Sequence, residues 1–386
     1  MPPLLRVSIA YLAYFASVGS ASPYLFLYYS NLGLGLAEIG ALAALSAAVG
    51  LVASPAWGAL ADLFPQTRLT LPLAALVAIG GAVVLVVGHD LIEIGAGVVV
   101  LAIGLGGLGP ILDARAIETL GPDRILYGRI RALGSAAFVV AAWAVGFLID
   151  RQGIPALFLA YVPALLLTAV VSVSLVRRPA ARSVGILRGA AGLVRAPSMR
   201  LFLFGAFLVW TALVAVNSFM SIRMEAVGGP AATVGLIWAI GAAVEVPVMW
   251  SFARFVRRFG VGRLLIGGAL LFALRAGLAA ASDNPPALLA TAPIAGLAMG
   301  LFYVGAVNFV AERAPGGLAA TAQGLFSAVL GLATIAGSVA GGLLAGWLSI
   351  AGMFVVASFG GLFATVVVAF AVGQARLPAR AVSPTI

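Results

Sequence analysis

Twelve apolar stretches, each of about twenty residues and split from the next by a short polar break, constrain this chain more than any other feature. A helix of that length crosses the hydrocarbon core of a bilayer. The stretches run over about Leu5–Tyr28, Ile39–Ala61, Leu69–Gly88, Gly95–Leu120, Ile130–Ile149 and Pro155–Val176. They resume at about Leu201–Ile222, Ala232–Phe252, Leu264–Ala281, Pro286–Ala311, Leu318–Gly346 and Ile350–Val372. The chain is 63% hydrophobic and 9% charged, against roughly 25% charged in a soluble domain. So few charges cannot cover a water-facing surface, so most of the surface must face lipid. Many of the 48 Gly and 20 Pro fall inside the apolar stretches. In a bilayer the neighbouring helices re-satisfy the backbone that Pro frees, and Gly lets helices approach closely. The expected fold is an all-α integral membrane protein. The first stretch is too long for a cleavable signal peptide and lacks its flanks, so it reads as the first helix.

The net charge is +10, and every basic residue is Arg. With both termini in the cytoplasm, 18 Arg fall on the inside, only Arg151 and Arg223 on the outside, and Arg115 and Arg275 within helices, which accounts for all 22. That imbalance points to an N-in, C-in protein of the cell (inner) membrane. Membrane topology explains the basic loops, and nucleic acid is not an expected partner. A basic segment from Arg177 to Arg200 separates an N-terminal half, 1–176, from a C-terminal half, 201–386. Six helices, a cytoplasmic linker and six more helices is the layout of a two-half secondary transporter. The chain has no cysteine, which excludes disulfides, thiolate nucleophiles and Cys metal sites. Its one histidine, His89, cannot build a His-rich metal site and reads as an interfacial loop residue. No cluster suits a membrane enzyme. No cofactor or metal is expected, and the expected assembly is a monomer.

After the second stretch the chain reads Gly58-Ala-Leu-Ala-Asp62-Leu-Phe-Pro-Gln-Thr-Arg68. This resembles the loop signature of the major facilitator superfamily, with Leu63 and Pro65 standing where that pattern has a basic residue and Gly. Tyr127-Gly-Arg129-Ile-Arg131-Ala-Leu-Gly134-Ser135-Ala-Ala-Phe138 resembles the loop between helices 4 and 5 of the phenylpropionate permease branch and of related nucleoside–proton symporters. Pro110-Ile-Leu-Asp113, Glu245-Val-Pro247, Arg257-Arg-Phe-Gly260, Ala273-Leu-Arg275 and Ala320-Thr-Ala-Gln323-Gly324 fit the same branch in order along the chain. The resemblance implies two six-helix halves, with helices 1, 4, 7 and 10 around a central cavity. It also leads one to expect a His near Ala295-Gly296, which this chain lacks.

A transporter needs a polar site near the midplane, a titratable group and two gates, and each ionisable group inside the bilayer is a candidate. Glu245 lies in the middle of an apolar stretch, where insertion of a charge costs on the order of 2.5–3.5 kcal/mol. Desolvation disfavours its ionised form, so it would take and release a proton near neutral pH. Arg275 either pairs with Glu245 or binds a substrate carboxylate bidentately. In the fourth stretch Arg115 and Glu118 are spaced to pair, which leaves Asp113 as the second proton-coupling candidate, beside a break at Pro110; a snorkelling helix-end charge is its alternative. Tyr11, Tyr14, Asn217, Tyr303, Asn308 and Gln323 complete the candidate substrate site, and Tyr28 and Tyr29 read as aromatic belt. Gly58, Asp62, Arg68, Arg129 and Arg131 are candidates for a cytoplasmic gate. The expected function is proton-coupled symport of a small organic solute by alternating access. An aromatic or carboxylated compound, or a nucleoside, is what the resemblance implies. A proton-driven exporter on the same fold is the alternative.

Overall fold

Each apolar stretch forms a helical span in a computed structural model, which describes residues 2–64, 68–120, 127–175, 197–314 and 318–374. Spans 1 to 6 are Leu4–Asn31, Leu36–Ala61, Thr70–Val87, Leu91–Leu120, Arg129–Gln152 and Ile154–Ser172. Spans 7 to 12 are Pro197–Ala226, Ala231–Phe259, Val261–Ala280, Pro285–Arg313, Thr321–Leu348 and Ile350–Gln374. The expected helices are thus present, with three corrections at their boundaries. Span 1 is not continuous: one helix ends at Ala21 and a second starts at Leu25, because Pro23 has no N–H and its ring clashes with the preceding turn. Span 7 begins at Pro197, so Arg200 is helical and does not close the linker; residues 177–196 lie outside the described residues. Pro110 and Pro247 interrupt nothing, since spans 4 and 8 run helical through both, as tightly packed neighbours allow.

The bundle repeats one packing scheme twice. Span 1 lies on spans 5 and 6, span 2 on span 4, and span 3 on spans 4 and 6. Adding six to each number gives the packing of spans 7 to 12: span 7 on 11 and 12, span 8 on 10, span 9 on 10 and 12. The two groups of six meet through spans 2 and 11 and through spans 5 and 8, a pair of seams that the same six-step shift interchanges. This is the expected all-α, two-half architecture. Its outside is apolar, with Trp250 91% and Val52 70% exposed, a surface suited to lipid.

An even number of crossings puts both chain ends on one face, here the terminal face; the turn at Gly33 lies on the opposite, distal face. Among the described residues, the close backbone contacts across the seams lie distally. Gly40 of span 2 packs on the backbone of span 11, where an added Cβ would sit 2.5 Å from the Ser338 carbonyl and 2.7 Å from Gly342 Cα. At the other seam a Cβ on Gly235 would sit 2.5 Å from the Ala142 carbonyl. Toward the terminal face, spans 2 and 11 part around a gap of about 460 Å³ beside Ser54, Pro55, Gly324 and Ser327.

Candidate functional site

Where the seams open, a cavity of about 290 Å³ lies between the halves. Span 8 builds its most distinctive wall. Trp238 and Glu245 are seven residues apart, two helical turns, so both face the cavity. Gly296 of span 10 is seated against the Gly241 backbone, with room for no side chain; this close contact occupies the place where the resemblance suggested a histidine. Span 9 contributes Arg275, span 7 Asn217, span 1 Phe15 and span 5 Ser135 and Phe138. The cavity is therefore lined by spans 1, 7 and 10 of the set that the resemblance implied, with spans 5, 8 and 9 beside them and no residue of span 4.

Three expected site residues meet here: Asn217, Glu245 and Arg275. Arg275 is 3% exposed, and its Nη1 donates to Asn217 Oδ1 at 2.6 Å. Its Nε–H is buried with no acceptor among the described residues. The expected Glu245–Arg275 ion pair is not formed, because Asn217 takes the guanidinium instead.

A second cluster sits toward the terminal face. The Tyr11 hydroxyl donates a short hydrogen bond to Asp113, and Arg131 Nη1 lies 3.4 Å from Asp113 Oδ1. The Arg131 guanidinium also stands 5.1 Å from the centre of the Phe15 ring, which stacks on Tyr11 and takes the edge of Tyr14. Phe15 lines the cavity as well, so one ring joins the two clusters. Arg131, expected at the gate, and Asp113, expected in coupling, are direct partners. Arg115 is buried, and its Nη2 donates to Thr70 Oγ1 at 3.2 Å, which ties span 4 to span 3.

The remaining expected residues stand apart from the cavity. Tyr303 packs against Trp210 and Phe326. Asn308 donates to the Val304 carbonyl of its own helix at 2.7 Å, and Gln323 donates to the Val307 carbonyl at 2.8 Å, tying span 11 to span 10. Tyr28 and Tyr29 are buried, and the Tyr28 hydroxyl donates to the Leu85 carbonyl at 2.7 Å; they belong to the bundle interior and not to an aromatic belt. Of the gate residues, Gly58 has open space where a Cβ would be, Arg68 and Arg129 are exposed, and the Asp62 side chain lies outside the described residues.

The distal closure is polar at its rim. Asp150, at the end of span 5, accepts from the backbone N–H of Ala231 at 2.7 Å and of Ala232 at 3.1 Å. These are orphan donors at the start of span 8, whose own N-cap, Pro230, supplies no side-chain bond. A carboxylate there also favours the positive end of the helix dipole. The Tyr24 hydroxyl sits between the Ala142 and Ala231 carbonyls, and Asn31 reaches Glu225 at 3.5 Å. Among the described residues, the bonds of Asp150, of Tyr24 to Ala231 and of Asn31 are the hydrogen bonds found between the halves.

The profile of the MFS_1 like family matches residues 4–356. A maltose permease of Geobacillus stearothermophilus is 32% identical over 324 residues, covering 83% of this chain and 82% of the relative. A probable 3-phenylpropionic acid transporter of Escherichia coli (strain K12) is 26% identical over 225 residues, 58% of this chain and 59% of the relative. The crystal structure of the nucleoside transporter NupG superposes with a TM-score of 0.84 at 17% identity, covering 98% of this chain and all of that one. The repeated six-span packing and these relatives agree: the chain belongs to the MFS_1 like family and is a major facilitator superfamily transporter.

Proposed function

We propose that this transporter is a proton-coupled symporter of a small organic solute, with Glu245 as the proton carrier and the cavity between the halves as the solute site. The observation that carries this reading is Glu245 itself. It is half-buried in a cavity between two halves whose described residues meet closely on the distal face, and it makes no hydrogen bond or ion pair among the described residues. A carboxylate so placed is stabilised by a proton or by a bound ligand. The Arg distribution supports a cytoplasmic terminal face, which makes this structure inward-open. Residues 1–176 and 201–386 then act as the two rocking bodies, in the inner membrane. In the outward-open state Gly58, Asp62, Arg68 and Arg129 close the terminal face, and Arg131 leaves Asp113 to join them. The named relatives are permeases and transporters, which favours uptake over export.

The test uses purified protein in proteoliposomes with an imposed pH gradient. Glu245→Gln keeps size and hydrogen bonding but cannot titrate. It is expected to lose gradient-driven accumulation while retaining counterflow. Full accumulation by this variant rules Glu245 out, and Asp113 becomes the coupling carboxylate.

A further inference from the structure

Arginine stays charged in proteins, and Arg275 carries that charge into the bundle with 3% of its surface exposed. Its one hydrogen bond among the described residues goes to a neutral amide oxygen, Asn217 Oδ1. Its Nε–H bonds to nothing among the described residues, and no carboxylate there stands within ion-pair distance. A planar fork half satisfied by an amide is completed by two oxygens of one carboxylate. The surrounding wall is apolar, with Val18, Phe138, Leu213, Ile237, Phe272 and Met299. That wall suits a hydrocarbon body and offers little to the many hydroxyls of a sugar.

The charges of the cavity add a constraint. Only Arg275 and Glu245 among its lining residues carry charge. The elements packed around Glu245 bring little else: Asn217 from span 7, Ser135 from span 5 with Arg131 one turn further, and Ala295, Gly296 and Met299 from span 10. Arg131 is already neutralised by Asp113 behind Phe15. With Glu245 ionised the empty cavity is neutral. A carboxylate ligand would make it anionic in a low-dielectric space, where like charges repel far more than in water. One proton on Glu245 restores neutrality.

We propose that the solute is a monocarboxylate with an apolar body, that its carboxylate docks on Arg275, and that it binds together with a proton on Glu245, so that the pair crosses without net charge. The proton requirement rests on the reading of Glu245 given above; the docking on Arg275 does not.

Trp238 lines the cavity and provides the signal. Tryptophan fluorescence of the full-length protein in detergent is titrated with butyrate, benzoate and 4-phenylbutyrate and with the primary amide of each, and Trp238→Phe identifies the contribution of that ring. At least one carboxylate is expected to bind about tenfold or more tighter than its amide. Its affinity is expected to fall as pH rises in the wild type and to be independent of pH in Glu245→Gln. Arg275→Gln and Asn217→Asp should both lose the preference for the carboxylate. In Asn217→Asp a built-in carboxylate occupies Arg275, and a melting temperature no lower than wild type separates lost binding from lost folding. If no carboxylate outbinds its amide, the carboxylate assignment is overturned while proton coupling keeps its own test. If a carboxylate binds the wild type with a flat pH profile, the proton requirement is overturned and Glu245 loses its assigned role.

Discussion

A guanidinium inside a membrane bundle needs acceptors, because lipid supplies none. Arg275 and Arg115 solve this in opposite ways. Arg115 bonds to Thr70 and reaches the Leu175 carbonyl, and it holds spans together. Arg275 stands at a cavity with one amide partner. Asn217→Leu would strip that partner and is expected to cost about 1.5–3 kcal/mol, the range for hydrogen bonds to charged groups, read as a lower melting temperature of the purified protein. A variant as stable as wild type would mean that Arg275 has other acceptors. At this scale the sequence was informative about charge and poor about neutral polar groups. Glu245 and Arg275 stood out because a charge in an apolar stretch is costly. Tyr303, Asn308 and Gln323 looked equally special, yet Asn308 and Gln323 bond to helix carbonyls and Tyr303 packs on rings. Trp238 carried no such signal, since an aromatic in an apolar stretch is ordinary. The seven-residue spacing of Trp238 from Glu245 was the one available cue.

The elements that decide which face is closed are the glycine contacts of spans 2, 5, 8 and 11. Close approach at Gly40 and Gly235 leaves no volume for a side chain, and a forced overlap is relieved only if the spans separate. Gly235→Leu is therefore expected to loosen the distal seam. In that background Ser135→Cys, which lies in the cavity, should become more reactive to a membrane-impermeant maleimide added from the distal side. With Gly235 intact it should react from that side more slowly, only while the cavity is outward-open. Equal labelling in both backgrounds would mean that this seam does not seal the cavity. Span lengths and order were legible because apolar runs of bilayer length have one solution. The seam contacts were not, because a Gly that touches another span and one that faces open space, such as Gly58, look alike in one sequence. Pro23 divides its span whereas Pro110 and Pro247 do not. That difference follows from how well neighbouring spans support the backbone, which no single span encodes.

For the whole molecule, orientation and motion remain as predictions. A reporter enzyme fused after Gln374 is expected to be active only in the cytoplasm, as the Arg distribution requires. Periplasmic activity would reverse the face assigned to the opening. Alternating access further requires the two faces to move in opposite senses about the cavity. The absence of cysteine lets spin-label pairs be placed without removing native thiols. Leu63 and Glu312 report the terminal face, and Arg151 and Asp283 the distal face; all four are exposed and each pair spans the two halves. The most direct measurement is the pair of distance distributions with and without Asp150→Ala, which removes the cap on Ala231 and Ala232. The variant is expected to lengthen the distal distance and shorten the terminal one. Two distances that stay fixed, or that lengthen together, would contradict alternating access.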